Sequence, residues 1–319
     1  MYLLGDIGGT KTRLIFCKSD EDFRKQKLQI FITPQNYREF LELLKSILHS
    51  YKSASITHLS ACIFGFAGML DKKKEKLIYA PNLRNFENKN LKRDLEKILK
   101  TEVILENDAA LAGLGEGKYG VARLSGGQGK NFDVFGYITL STGIGGVKII
   151  KVKISRLNED RINHLNEDRI NSVNIRVNNS VFNSGNNNSV NIRVDFNTFG
   201  FEPGHSFLLT DNFLFEVEEL LGGENIRKTF GKKPEDIKDK KFWNFYHQIL
   251  SIFLINVSIF WSIDKIILGG SVIKSLDFKK LNLLVNKLHP LPIKIKIIKS
   301  KLGEMSVLYG GLAIVKQNL

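Results

Sequence analysis

Two cysteines, Cys17 and Cys62, are all that 319 residues contain, and both sit inside apolar, strand-like runs. A disulfide scaffold is thereby excluded, and the two thiols read as small buried hydrophobes in a reducing setting. Long hydrophobic runs are equally scarce. The longest, Ile249 to Ile263, is broken by Ser251, Asn256, Ser258 and Ser262. It falls short of the roughly 20 residues that cross a bilayer, so it reads as a buried helix and no membrane partner is expected. Catalytic-looking sequence starts within the first handful of residues, which leaves no place for a secretory leader and makes a cytoplasmic location the expectation. Charge is one-sided, +14 from 47 Lys and Arg against 33 Asp and Glu. The lysines are nevertheless scattered, as at Lys72–Lys74, Lys232–Lys233 and Lys294–Lys296. Without interleaved aromatic platforms or a binding motif they read as a solvated surface, and no nucleic-acid partner is expected.

What is present is an alternation of short apolar runs with helical patterns, which argues for an α/β fold. Strands are expected at 2–17 (a strand-turn-strand), 27–32, 57–66, 101–105, 134–140, 146–154, 264–269 and 292–299. Helices are expected at 37–50, 91–100, 108–116, 212–221, 240–262, 278–287 and 305–317. Each half opens with a hairpin carrying a Gly/Thr turn, which suggests a duplicated domain. Six glycines between Gly115 and Gly129 mark a hinge or mobile loop near 114–133.

The chemistry concentrates in three places. In LLGDIGGTKTR (3–13) an apolar strand ends in Asp6, and Gly8, Gly9 and Thr10 make a tight turn whose N–H groups could approach a phosphate. Lys11 and Arg13 add positive charge nearby. In YITLSTGIGGVKII (137–150) a second apolar hairpin turns through Ser141, Thr142, Gly143, Ile144, Gly145 and Gly146. Between them, LEND (105–108) places Asp108 where a strand hands over to a small-residue helix. Ligands bind at such carboxyl ends in open α/β sheets, although an ordinary helix N-cap would also explain an Asp there. Together, two loops could hold a polyphosphate while one carboxylate faces it.

At this point the chain resembles the ROK sugar kinases of the actin/hexokinase-like ATPase superfamily. The resemblance rests on DIGGTKTR (6–13), APNLRNF (80–86), ENDAALAGLGE (106–116), LSTGIGG (140–146), FEPGH (201–205), EELLGG (218–223), IILGGSV (266–272) and VLYGGLAI (307–314), in the family's order. It implies two ribonuclease-H-like α/β domains around a cleft: residues 1–114, rejoined by a returning helix at 305–319, and residues 115–304. The implied activity is transfer of the γ-phosphoryl group of ATP, with Mg²⁺, to a hexose hydroxyl, as in a glucokinase. Alternatives are an N-acylhexosamine or fructose kinase, or a catalytically weak sugar-binding regulator. Asp108 then resembles the base that accepts the sugar hydroxyl proton, and Asn82, Asn107, Glu202, His205 and Glu218 resemble sugar ligands. Asp6 resembles the carboxylate that orients Mg²⁺ through water. Phosphate would lie on Gly8, Gly9, Thr10 and Lys11 from one domain and on Thr142, Gly143, Gly145 and Gly146 from the other, with Gly269 and Gly270 as the adenosine loop. A homodimer is a further implication. The repressor branch carries an N-terminal DNA-binding segment, and none is expected here.

Two departures stand out. The family's zinc motif follows Glu-x-Gly-His, but here that stretch is SFLLTDNFLFEVEELLGG, without a cysteine, so no structural zinc is expected. The loop should instead be ordered by packing of Phe207, Leu208, Leu209, Phe213, Leu214 and Phe215. Residues 156–189 hold tandem duplications, LNEDRIN at 157–163 and 165–171 and SVNIRV at 172–177 and 189–194, which read as an expanded surface loop on a β-ribbon.

Overall fold

The computed structural model describes residues 1–52, 58–121, 134–154, 193–210 and 213–317. The first half runs β1 (Tyr2–Ile7), β2 (Lys11–Cys17), α1 (Asp20–Lys25), β3 (Gln29–Ile32), α2 (Tyr37–Lys52), β4 (Ala61–Phe66), β5 (Met69–Leu70), β6 (Leu77–Tyr79), α3 (Leu91–Leu99), β7 (Val103–Asn107) and α4 (Asp108–Lys118). The second runs β8 (Val134–Leu140), β9 (Ile144–Ile154), β10 (Arg193–Phe201), β11 (Phe207–Thr210), β12 (Phe213–Glu216), α5 (Val217–Leu221), α6 (Gly223–Phe230), α7 (Lys240–Trp261), β13 (Lys265–Gly269), α8 (Phe278–Leu288) and β14 (Lys296–Lys299), and α9 (Ser306–Gln317) closes the chain.

Two five-stranded sheets repeat one plan. The first has the order β3-β2-β1-β4-β7 and the second β10-β9-β8-β13-β14. In each, a three-strand antiparallel meander is extended by two parallel strands. The parallel strands β1, β4 and β7 end on the same edge, and the expected site residues Asp6 and Asn107 lie there. The duplication expected from two Gly/Thr hairpins is thus present in the strand order itself.

Helix α4 joins the two sheets. Ala109 through Glu116 are all buried. Leu111 and Leu114 pack with Leu4, Ile15 and Ile63 of the first sheet and with Leu308 and Leu312 of α9, whereas Ala110 and Ala112 face Tyr137, Val147 and Ile149 of the second. A helix pressed from both sides has room only for small side chains: a Cβ at Gly113 would stand 2.7 Å from Val147 Cγ1, and one at Gly115 3.0 Å from Gly310 N. Glu116 is the exception, fully buried and used as an acceptor. Its carboxylate takes bonds from Ser300 Oγ (2.6 Å), Leu302 N (2.7 Å) and Val121 N (3.0 Å).

Several expectations are corrected. Residues 212–221 are not one helix: β11 and β12 form a ribbon, and only Val217–Leu221 is helical. Glu216 ends the strand and starts the helix by a capping box with Glu219. In that ribbon Leu208 is buried, but Phe207, Leu209 and Leu214 are exposed, so the apolar set does not pack as one cluster. The strand expected at 292–299 starts at Lys296, because Pro290 and Pro292 remove donors a ladder needs. Helix α7 buries Leu250, Phe253, Leu254 and Val257, yet Phe245, Ile252 and Phe260 face solvent. No helix among the described residues is long and apolar enough to cross a membrane. Residues 122–133 of the expected hinge lie outside the described residues, as do 155–192 of the repeat-bearing stretch.

The base of that stretch is described. β9 and β10 pair through to Ile154 opposite Arg193, so its two ends are cross-strand neighbours about 5 Å apart. Removing residues 157–188 and closing with a short Gly-containing turn is expected to shift the thermal midpoint by only a few degrees, because closure entropy changes by about 0.6 kcal/mol per doubling of loop length. Calorimetry checks this, and a variant that no longer folds would show that the repeats make contacts of their own.

Candidate active site

The β1–β2 hairpin tip is shaped by what happens to its carbonyls. Gly8 N donates to Lys11 O (3.0 Å), Thr33 Oγ1 donates to Gly8 O (2.7 Å), Gln35 Nε2 to Gly9 O (2.7 Å) and Thr33 N to Thr10 O (3.0 Å). With the carbonyls tied back, the N–H groups of Gly9 and Thr10 have no acceptor among the described residues. Such a nest of donors suits an anion. Gly9 also admits Asn82: a Cβ there would stand 2.5 Å from Asn82 Cβ. Asn82 is therefore pressed against the first hairpin. Lys11 and Thr10 are exposed at the tip.

Asp6 sits opposite Arg13 in the β1–β2 ladder. The guanidinium bonds Asp6 Oδ2 through Nη1 (3.0 Å) and Glu304 through Nη2 (3.1 Å), the latter from the turn before α9. Arg13 is thus committed to carboxylates and is not a free phosphate ligand. Burial nevertheless pushes Asp6 up to about 6, against the lowering effect of Arg13.

Asp108 is not the N-cap of α4. Asn107 is: its Oδ1 accepts from Ala110 N (3.1 Å) while its Nδ2 donates to Gly68 O (3.0 Å). That leaves the Asp108 carboxylate at the first helical position, where Oδ1 accepts from Ala109 N (2.8 Å). Burial pushes Asp108 up to about 7, helped by the charges of Asp6 and, more weakly, Glu202, and opposed by the Ala109 N–H. Glu106, the first residue of Glu-Asn-Asp, is buried and paired with Lys74, so it is structural in this arrangement.

The second hairpin meets this centre from the other sheet. A Cβ at Gly145 would touch Ala109 Cβ at 3.3 Å, next to Asp108. Glu218 Oε2 accepts from Ile144 N (2.7 Å), and a Cβ at Gly143 would stand 2.9 Å from the Glu218 carboxyl carbon. The turn is further anchored by Gly223 N on Ser141 O (2.7 Å) and Glu224 N on Thr142 O (3.0 Å), both from the start of α6. Glu202 lies beside Glu218 and His205: burial raises its pKa above the usual carboxylate range, with His205 opposing the rise and Glu218 adding to it. His205 Nδ1 is 3.1 Å from Glu216 Oε2, and its ring meets Tyr79 of β6 edge-on at 5.5 Å between centroids. The His205 loop therefore reaches across to the first half.

The structure gathers Asp6, Asp108, Glu202, Glu218, His205, Asn82 and both Gly turns into one region. Gly269 and Gly270 lie beside the second turn, with Gly269 paired to Thr139 and Gly270 at φ +91 on the Leu140 backbone. Their missing side chains make way for the Tyr137 hydroxyl and Leu140, so packing within the protein already explains both glycines. Thr33 and Gln35, which set the hairpin, and Tyr79 carry no pattern that sequence reasoning could use. Glu116 does carry one, as the only ionisable residue among the buried positions of a helix without an exposed face. For Mg²⁺, the fit is that of an open site. Two partly neutralised carboxylates, Asp6 and Asp108, face each other, while no set of three or more His, Cys, Asp or Glu among the described residues forms a closed metal cage. Mg²⁺ characteristically takes one or two carboxylates and completes its shell with water and phosphate.

Comparison with known proteins agrees with this geometry. The ROK family model matches residues 4–156. That match spans just under half of the chain, all of it in the first half. A glucokinase from Streptomyces coelicolor is 30% identical over 153 residues, 47% of this chain and 44% of that one. The chain spans about half the length of the curated relatives it matches. Among solved structures, a ROK family glucokinase from Streptomyces griseus in complex with glucose and AMPPNP superposes with a TM-score of 0.66 at 17% identity, covering 99% of both chains. A ROK family transcriptional regulator, a homologue of the E. coli MLC protein, gives 0.68 at 13% identity over 99% of this chain and 78% of that one. At such identities the likeness establishes the fold alone, an α/β fold shared over nearly the whole chain.

Proposed function

We propose that this chain is a ROK-family, ATP-dependent sugar kinase that transfers the γ-phosphoryl group of ATP to a hydroxyl of a hexose, glucose or a close relative. The observation that carries the reading is Asp108: a carboxylate released from capping by Asn107, pushed up to about 7 in reach of the Asp6 charge, and next to Ala109, on which Gly145 of the second turn packs. A general base works best with its pKa near the operating pH. Phosphoryl transfer asks the protein chiefly to position two oxygens and to neutralise charge. In this proposal Asn82, Asn107, Glu202, His205 and Glu218 hold the sugar hydroxyls, and Asp108 Oδ accepts the proton of the attacking one. The N–H groups of Gly9 and Thr10 and the Thr142–Gly146 turn receive phosphate oxygens. Mg²⁺, when bound, neutralises phosphate charge, with Asp6 orienting its water shell. Gly269 and Gly270 border the adenosine.

The domain division follows as part of the same proposal: residues 1–114 with 305–319, and residues 115–304. Glu116 supports it, because one buried carboxylate ties Val121 at the first crossing to Ser300 and Leu302 at the second. Closure about these crossings would bring the two turns together on one polyphosphate.

Two measurements test the reading. Coupled ADP release over a panel of glucose, mannose, fructose and N-acetylhexosamines is expected to show turnover with at least one sugar, and silence on the whole panel contradicts it. The pH dependence carries a defined sign. Asp108 must be ionised to act as base and its folded value is about 7, so kcat/KM is expected to fall roughly tenfold per pH unit below that value and to level off above it. A flat profile from pH 5 to 8 would remove Asp108 from the role. The competing reading is a regulator on the same fold, supported by the ROK regulator's structural likeness. A binding-only protein has no use for a base, and the retained carboxylates weigh against it.

A further inference from the structure

A groove of about 900 Å³ in the first half lies apart from the cleft. It lies between α2 and α3, and Arg38, Lys45, Lys89 and Lys97 surround it against a single carboxylate, Asp94. That carboxylate is already engaged, because Tyr37 OH donates to it at 2.8 Å. Lys45 pairs with Glu42 on its own helix. Arg38, Lys89 and Lys97 have no ion-pair partner among the described residues. The floor is apolar, made by Leu41 and Ile98 beside the Tyr37 ring. Arg38, Leu41 and Lys45 share one helical face by their spacing of three and four residues, and Asp94, Lys97 and Ile98 do the same on α3.

We propose that this groove is a second ligand site, and that it takes a small organic phosphate monoester. Its size is that of a ligand pocket. An unpaired Arg with two Lys matches the geometry of a phosphate, the Arg bidentate and the Lys as point charges. The apolar floor receives the carbon skeleton of the same molecule. The site is wired to the cleft through one short segment. Asn85, on the groove wall, donates through Nδ2 to Gln35 O (3.0 Å), and Gln35 Nε2 donates to Gly9 O (2.7 Å) at the phosphate hairpin. Three residues before Asn85, Asn82 packs on Gly9. A ligand that orders Asn85 therefore biases the hairpin that presents Gly9 and Thr10, which makes the groove regulatory rather than catalytic. The claim does not depend on the kinase reading, since it concerns binding at a place outside the cleft.

Calorimetric titration of the full chain tests it, with glucose 6-phosphate, AMP and inorganic phosphate as separate probes, each repeated on Arg38→Gln/Lys97→Gln. These side chains are exposed, so the double variant is expected to fold, and its thermal midpoint verifies that. The expected result is saturable binding of at least one organic probe, weakened tenfold or more in the double variant, with hydrogen-exchange protection in residues 36–45 and 85–98. The probe that binds most tightly identifies the carbon skeleton. Binding unchanged in the double variant, protection confined to the cleft, no binding of any organic probe, or a short oligonucleotide outcompeting all three would each overturn the proposal.

Discussion

Replacing Asp108 by Asn is expected to lower kcat by about 10²–10⁴-fold while raising the thermal midpoint at pH 8. The kinetic part follows from the loss of a general base, roughly 3–5 kcal/mol of barrier. The stability part comes from the same burial. Burial pushes Asp108 up to about 7 in the fold, well above the ordinary carboxylate range, so the folded protein binds this proton more tightly than the unfolded chain. The group's contribution is fully present at acid pH and is lost as pH rises through about 7. Above that, the native protein carries an ionised carboxylate facing Asp6 and Glu202, and Asn does not. The gain is of order 1–3 kcal/mol after allowing for the partial exposure of the site, absent near pH 4 and complete near pH 8. The Ala109 N–H keeps an acceptor in Asn, and the cap belongs to Asn107, so α4 itself is not weakened. A variant that is inactive and less stable at pH 8 would mean a structural role for the carboxylate, and near-normal turnover would remove it from catalysis.

Gly310→Ala is expected to destabilise the protein by about 3 kcal/mol or more, a fall in midpoint of some 6–12 °C for a chain of this size. Helix propensity alone predicts the opposite sign, since Ala in a helix interior is better than Gly by about 1 kcal/mol. Packing decides. The new Cβ would stand 2.5 Å from the Leu111 carbonyl carbon, with its nearest neighbour the carbonyl oxygen. Backbone cannot rotate aside as a side chain does, so α9 must move off α4. Because Asp108 begins α4, turnover is expected to drop as well. Thermal melts check the first part, and a midpoint equal to or above the parent's would show that the two helices approach less closely than described.

Much of this was legible in the sequence because the site is made of small residues at strand ends. Gly8, Gly9, Gly143 and Gly145 stand out in apolar surroundings, and each is explained by an open turn or by a close neighbour: Asn82, Glu218 or Ala109. The Ala-rich run after Asp108 was legible as a helix, but its reason was not, since pressure from two sheets appears only in three dimensions. Residues 213–216 pair as a strand inside the helix expected at 212–221 because Phe213, Leu214 and Phe215 form a continuous apolar run without period, which does not distinguish strand from helix. The pairing of Arg13 with Asp6 follows from strand register, and the cap on Asn107 from a one-residue choice that composition does not settle.

The central claim is that phosphorus passes from ATP to a sugar hydroxyl at Asp108. Incubation with Mg²⁺ and ATP labelled with ¹⁸O at the γ-phosphoryl, over the sugar panel, followed by mass spectrometry of the sugars, tests it directly. The account predicts a labelled hexose monophosphate with the parent protein, reduced at least a hundredfold with Asp108→Asn. Label found only in inorganic phosphate, or sugars that bind and return unmodified, would contradict it.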